Sequence, residues 1–206
     1  MSTRRSYQSR LRAERARETR LAIRRSAREL FEEQGFTATT VAQIAARAGV
    51  AVPTVYAAFE SKSGIVREMM DELEELAGGE DAGERVLAEE DPERQLRTFV
   101  HFVRTLFERG APVLRAAMQV RDDEDVQRMA AVGNGRRLEG CRLLIARWGE
   151  LGALATDVDA GRAAEGMWLL TSAEQYFLGT DTLGWSPDEY ETWLAETLSR
   201  LLLRRG

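Results

Sequence analysis

The chain of 206 residues holds one cysteine, Cys141, one histidine, His101, one lysine, Lys62, and four prolines. A lone thiol closes no intramolecular disulfide, and one Cys with one His builds no zinc cage, so neither a metal nor a cofactor is expected. No Ser/His/Asp, Cys/His or paired-carboxylate context is present, which argues against an enzyme. No apolar run approaches the ~18 residues that span a bilayer, and the Arg-studded start lacks the apolar stretch of a secretory signal. A cytoplasmic chain is expected. Segments that alternate apolar and polar residues are missing too, so no strand is anticipated.

What remains is a chain rich enough in apolar side chains to fold, 44% hydrophobic against 31% charged, with room for one full-sized domain or two small ones. Its charge is unevenly placed. Residues 1–62 hold 11 arginines and Lys62 against six acids, a surplus of six, so in a chain of net charge −5 the rest carries eleven negative charges. A basic head on an acidic body points to a polyanion, nucleic acid first.

Nearly every stretch repeats at helical spacing, and nine helices are expected in an all-α fold. Ala16, Ile23, Ala27, Leu30 and Phe31 share one side of a first helix that Gly35 ends. Thr40-Val41-Ala42-Gln43 reads as a capping box opening a short helix stopped by Gly49, and a third short helix opens at Pro53. Helix, tight glycine turn, helix is the helix-turn-helix layout. A longer helix starts at Ser61, and residues 78–91 read as an acidic connector. Helices follow from Pro92 to Glu108, after a break at Gly110-Ala111-Pro112 to Arg121, from about Asp123 to Trp148, and from about Val158 to Leu178. The last begins at Ser186-Pro187-Asp188-Glu189, with an N-cap, a proline at the first position and acids in the first turn.

Residues 19–73 resemble the DNA-binding region of the tetracycline-repressor (TetR) family of transcriptional regulators. The likeness is carried by Gly35-Phe36, Thr40-Val41, Ile44-Ala45, Ala48-Gly49-Val50, Pro53-Thr54-Val55-Tyr56, Phe59 and Ser61-Lys62. Trp168 to Ser172, Gly184 to Asp188 and Trp193-Leu194 are similar to the end of many relatives. The resemblance implies a DNA-binding domain over 1–62 and an effector-binding and dimerisation domain over 63–206, with 63–77 as connecting helix; the helix from Ser61 to Ala77, which would join both parts, is the expected lever. The resemblance also implies a homodimeric repressor that leaves a palindromic operator when a small, largely apolar effector binds.

By the same resemblance Thr40, Tyr56 and Lys62 hold phosphates, and Val52, Pro53 and Thr54 face the bases. A capped helix start, a phenol and an ammonium are all donors to anionic oxygen. Ala51, Ala57 and Ala58 stand where relatives often carry polar or larger side chains, so hydrogen-bonding readout is thin. Methyl contacts to thymine, and shape read by an arm (residues 1–12) through Arg4 and Arg5, would supply the rest. For that arm a frayed tail is the alternative, and for Tyr56 a buried aromatic.

In the body the effector candidates are Phe99, Phe102, Met118, Met129, Arg137, Met167, Trp168 and Thr171, with ordinary core packing as the alternative. Arg137 falls on the apolar stripe of its helix and needs a partner, either a carboxylate such as Glu165 or Glu174 or an anionic ligand. Tyr176, Phe177, Tyr190, Trp193, Leu194, Leu198 and Leu201 offer a dimer interface. His101 lies opposite the apolar arc of its helix, and Cys141 reads as a small buried hydrophobe. A rival from another class is a helical small-molecule sensor or partner-binding module without specific operator recognition.

Overall fold

The computed structural model describes residues 2–76, 79–120 and 122–204, without the side chains of 2–10 and 74–82. Ten α-helices follow one another: α1 (Ser2–Ala38), α2 (Val41–Ala48), α3 (Val52–Phe59), α4 (Lys62–Leu76), α5 (Gly79–Ala88), α6 (Pro92–Gln119), α7 (Glu124–Glu150), α8 (Ala160–Leu170), α9 (Ala173–Phe177) and α10 (Pro187–Leu202). A π-helical turn, Leu178–Thr182, follows α9. Among the described residues the one β contact is an isolated bridge between Leu154 and Leu203.

The chain divides into two compact units. Residues 1–71 and 112–127 make the first, and residues 72–111 and 128–206 the second. The sequence-based division at 62 differs from this packing. The start of α4 and the corner from Pro112 to Gln127 group with the first unit because Ile65, Val66, Met69, Val113, Ala116 and Val126 are all buried.

In the first unit, α1 buries Ile23, Ala27, Leu30 and Phe31, whereas Ala16 is exposed. At Gly35 the backbone turns to φ 79°, ψ 165°, a conformation open essentially to glycine alone, and the helical path breaks there. Residues 2–12 form the opening turns of α1 rather than a separate arm ahead of it. The Gln119 side chain reaches back to residue 37, its Oε1 accepting from the Thr37 N–H at 3.2 Å and from the Thr37 hydroxyl at 3.1 Å.

The second unit is built around Leu96, Val100, Trp148, Met167, Tyr190, Leu194 and Leu198, all with essentially no exposure. Rings of Phe107, Phe177 and Tyr190 each pack on Tyr176 at centroid distances of 5.1–5.8 Å, near edge-on in the Tyr190 pair. α10 opens on a full capping box. The Glu189 N–H donates to Ser186 Oγ at 3.2 Å, the Ser186 N–H to Glu189 Oε2 at 2.7 Å, and Pro187 takes the first turn.

Three local expectations are corrected. α6 runs unbroken through Gly110 and Pro112, since a proline removes one hydrogen bond and burial of Val113, Ala116 and Ala117 around it holds the helix together. Residues 79–88 are helical and seat Val86 in the core, so the acidic stretch is not simply a connector. The expected helix to Leu178 ends at Leu170, because Ser172 takes the N-cap of a new helix and accepts from the Gln175 N–H at 3.3 Å.

Candidate functional site

Two short helices, α2 and α3, meet at 105° across Gly49, Val50 and Ala51. That is the crossing expected of a helix-turn-helix. Thr40 caps α2 with both halves of the box: its Oγ1 accepts from the Gln43 N–H at 3.2 Å, and its own N–H donates to Gln43 Oε1 at 2.8 Å. Gly49 closes the helix in the left-handed region, φ 68°, and the Val50 N–H returns to the Ala45 carbonyl at 3.0 Å. Replacing Thr40 with alanine should therefore cost about 1 kcal/mol. A thermal melt should fall by a few degrees, and an unchanged melt would show that the cap contributes nothing.

α3 is anchored by Val55 and Phe59, one turn apart and both buried. That anchorage turns Val52, Pro53, Tyr56 and Ala57 to the exterior, with Thr54 half-buried. Tyr56 is 50% exposed, which removes the buried-aromatic alternative. The N-cap of α3, Ala51, offers no side-chain acceptor. Sequence reading missed the grip on the other end of this helix. Arg20 of α1 donates through Nη1 to the Ala58 carbonyl at 2.6 Å, pairs with Glu68 of α4 and lies 4.6 Å over the Phe59 ring. No spacing rule links residues 20, 58 and 68, so no local signal announced it.

Lys62 is more engaged than a surface phosphate ligand would be. Its Nζ donates to the carbonyls of Phe36, at 2.6 Å, and Thr39, at 2.7 Å, and sits 4.0 Å over the Phe36 ring. Burial pushes its pKa below the ordinary lysine value. Thr39, itself buried, donates from Oγ1 to the Gly35 carbonyl at 2.8 Å, so the segment between α1 and α2 is pinned from both sides. Arg4 and Arg5 lie outside the described side chains.

In the second unit three of the effector candidates come together. Arg137 donates through Nη1 to the Trp168 carbonyl and, at 3.0 Å, to Thr171 Oγ1, and through Nη2 to Asn134 Oδ1 at 3.2 Å. The Trp168 ring lies 5.0 Å from the guanidinium carbon. The carboxylate partner expected for Arg137 is not there: Glu165 pairs with Arg162 at 3.0 Å, and Glu174 forms no ion pair with Arg137. Phe99 and Met167 are core residues, while Phe102 and Met129 are half-buried. Met118 is 41% exposed and belongs to the first unit. Cys141 is fully buried and its thiol is pushed up to about 11 by desolvation, which leaves it inert. His101 is exposed and faces Glu191 at 3.1 Å.

The dimer candidates need the largest correction. Tyr176, Phe177, Tyr190, Leu194 and Leu198 are buried within the single chain and have no surface left to offer a partner. Only Trp193, 37% exposed, and Leu201, 53% exposed, remain available. Leu169, Leu178 and Leu183 are exposed although not anticipated.

Residues 23–69 match the model of bacterial regulatory proteins of the tetR family. Among solved structures the chain is similar to NalD of Pseudomonas aeruginosa, the secondary repressor of the MexAB-OprM multidrug efflux pump. The two share 26% identity over 93% of this chain and 100% of that one, with a TM-score of 0.68. PfmR, a TetR-family transcriptional regulator of Thermus thermophilus, shares 25% identity over 88% of this chain and 99% of its own, with a TM-score of 0.66. A protein of Saccharomonospora viridis described as a transcriptional regulator, solved with choline, has the same fold at 19% identity, 91% and 99% coverage and a TM-score of 0.75. No curated protein matches in a sequence search.

An all-α chain whose first unit presents a short, capped, outward-facing second helix of this kind is a helix-turn-helix DNA-binding protein. Its residues 23–69 carry the DNA-binding module of bacterial regulatory proteins of the tetR family.

Proposed function

We propose that the chain is a ligand-responsive repressor that binds a palindromic operator as a homodimer. The observation that carries this reading is the outer face of α3, where Val52, Pro53, Tyr56 and Ala57 are exposed beside buried Val55 and Phe59. A major groove admits one such helix, and its first turn then reaches base edges. Tyr56 and the capped start of α2 at Thr40 hold phosphates. Val52, Pro53 and Thr54 meet the bases, with methyl contact to thymine outweighing hydrogen bonding because Thr54 is the one polar side chain among the three. NalD, similar over its whole length, is a repressor, which supports repression over activation. The choline bound by the Saccharomonospora viridis protein supports a fold that takes a small molecule. Exposed Leu169, Leu178, Leu183, Trp193 and Leu201 favour a second copy as the cover for this apolar surface.

Selection of bound molecules from random double-stranded DNA at physiological salt tests the reading. Enrichment of a palindrome with half-sites about one helical turn, roughly 34–36 Å, apart is the expected result. If only unspecific, steeply salt-sensitive binding survives, the operator reading fails and a sensor or partner-binding module takes its place.

A further inference from the structure

Arg137 is a half-buried guanidinium whose protein acceptors are all neutral: a carbonyl, a hydroxyl and an amide oxygen, with an indole ring alongside. Cations withdrawn from water are ordinarily paired, because neutral acceptors recover only part of the lost solvation. Among the described residues no carboxylate is hydrogen-bonded to it. Glu139 pairs with Arg142 at 3.5 Å and Glu165 with Arg162, and Glu174 is close enough to be felt but makes no hydrogen bond to Arg137. Desolvation works against the charge, yet arginine stays protonated, so the cluster keeps a positive charge that Glu174 offsets only through space, with no hydrogen bond between them. A guanidinium has five N–H donors, and three are used. The Nε–H and one Nη2 hydrogen have no protein acceptor among the described residues.

Room lies on the same helix face. Gly133 is one turn before Arg137 on α7 and Gly140 one turn after, and a Cβ built on either would meet nothing within 4 Å. Trp168 holds the guanidinium from the side, its ring beneath and its Nε1 donating to the Asn134 carbonyl at 3.0 Å. The donor edge is thereby fixed before any ligand arrives, which lowers the ordering cost of binding.

We infer that Arg137 is the anion-recognition residue of the effector site, and that the effector is a small organic acid. Its carboxylate takes the two free N–H donors, and its apolar body lies along the bare surface of α7 at Gly133 and Gly140. This rests on the ligand-responsive reading above and adds the chemical class of the ligand.

Calorimetric titration of the full-length protein with benzoate, phenylacetate and octanoate, each set against its alcohol (benzyl alcohol, phenylethanol, octanol), tests it. At least one carboxylate should bind tenfold or more tightly than its alcohol. Arg137→Gln should erase that preference, while Arg137→Lys, which keeps charge without the planar fork, should retain part of it. Thermal melts of both variants show whether the fold survives. If Arg137→Gln does not fold, Arg137→Lys carries the test, with the preference for carboxylate expected to shrink at least threefold. Carboxylates that bind no better than alcohols, or a preference untouched in the folded variants, would overturn the inference. So would loss of dimerisation in Arg137→Gln, by sedimentation, without any carboxylate affinity in the parent, since the countercharge would then come from a second copy. Operator binding measured beside these titrations keeps the two readings separable. Specific DNA binding released by a neutral compound alone sinks the acid and leaves the regulator standing.

Discussion

Trp148→Ala is expected to lower the melting temperature by roughly 10 °C or more, the largest single loss available in the second unit. The indole has no exposure, and its Nε1 donates to Gln95 Oε1 at 2.8 Å. Gln95 is equally buried and passes its own amide to the Glu89 carbonyl at 2.7 Å. Truncation thus leaves a large void, at about 3–5 kcal/mol, and also strips a buried amide oxygen of its donor. At about 2–4 °C per kcal/mol for a chain of this size, the shift follows. Trp148→Phe separates the two costs. It fills most of the space but leaves Gln95 unpaired, so a loss of about 1–3 kcal/mol should remain. Adding Gln95→Leu to Trp148→Phe should recover only part of it, because the bond to Glu89 goes as well. Circular dichroism melts of the four proteins check the order, and a Trp148→Ala melt within two or three degrees of the parent would remove Trp148 from the core.

Which features were readable from the sequence follows from how far apart their causes lie along the chain. The stop at Gly35, the box at Thr40 and Gln43, the left-handed close at Gly49 and the start at Ser186, Pro187 and Glu189 each depend on residues within four positions. A short-range pattern can carry such signals, and the helix-turn-helix was legible because it is made of them. Pro112 misled because its cost of one hydrogen bond is local, whereas the burial of Val113, Ala116 and Ala117 that outweighs it is tertiary. The aromatic C-terminal helices misled in a related way. Periodicity shows that Tyr190, Leu194 and Leu198 face something apolar but not whose, and all three are buried within the same chain, Tyr190 against Tyr176. Arg137 was half legible. Its place on the apolar stripe required a partner, but Asn134, Trp168 and Thr171 as the acceptors, in place of Glu165 or Glu174, could be found only by folding α7 against α8.

On the DNA side, Lys62→Met is expected to weaken operator binding more than any exposed substitution on α3. The ammonium ties the Phe36 and Thr39 carbonyls to the first residue of α4, immediately before the Thr40 cap. Hydrogen bonds to a charged group are worth about 1.5–3 kcal/mol, and methionine leaves both carbonyls without their donor. The segment that aims α2 then loosens, so the melt should fall by several degrees, and affinity for the selected operator should fall tenfold or more as the cap and α3 lose their fixed approach. Two of the three ammonium hydrogens are used internally, leaving one to reach a phosphate. A salt series separates the two roles. Loss of a phosphate contact lowers the slope of log affinity against log salt by about one, whereas a purely internal clamp changes affinity at every salt by the same factor. Tyr56→Phe is the control, since its side chain is exposed and its hydroxyl has no partner among the described residues: its melt should stay put while affinity drops by the worth of one phosphate contact. Fluorescence anisotropy on the selected operator, with melts of the same proteins, decides between them, and a Lys62→Met protein with unchanged melt and affinity would show that the two carbonyl contacts carry no weight.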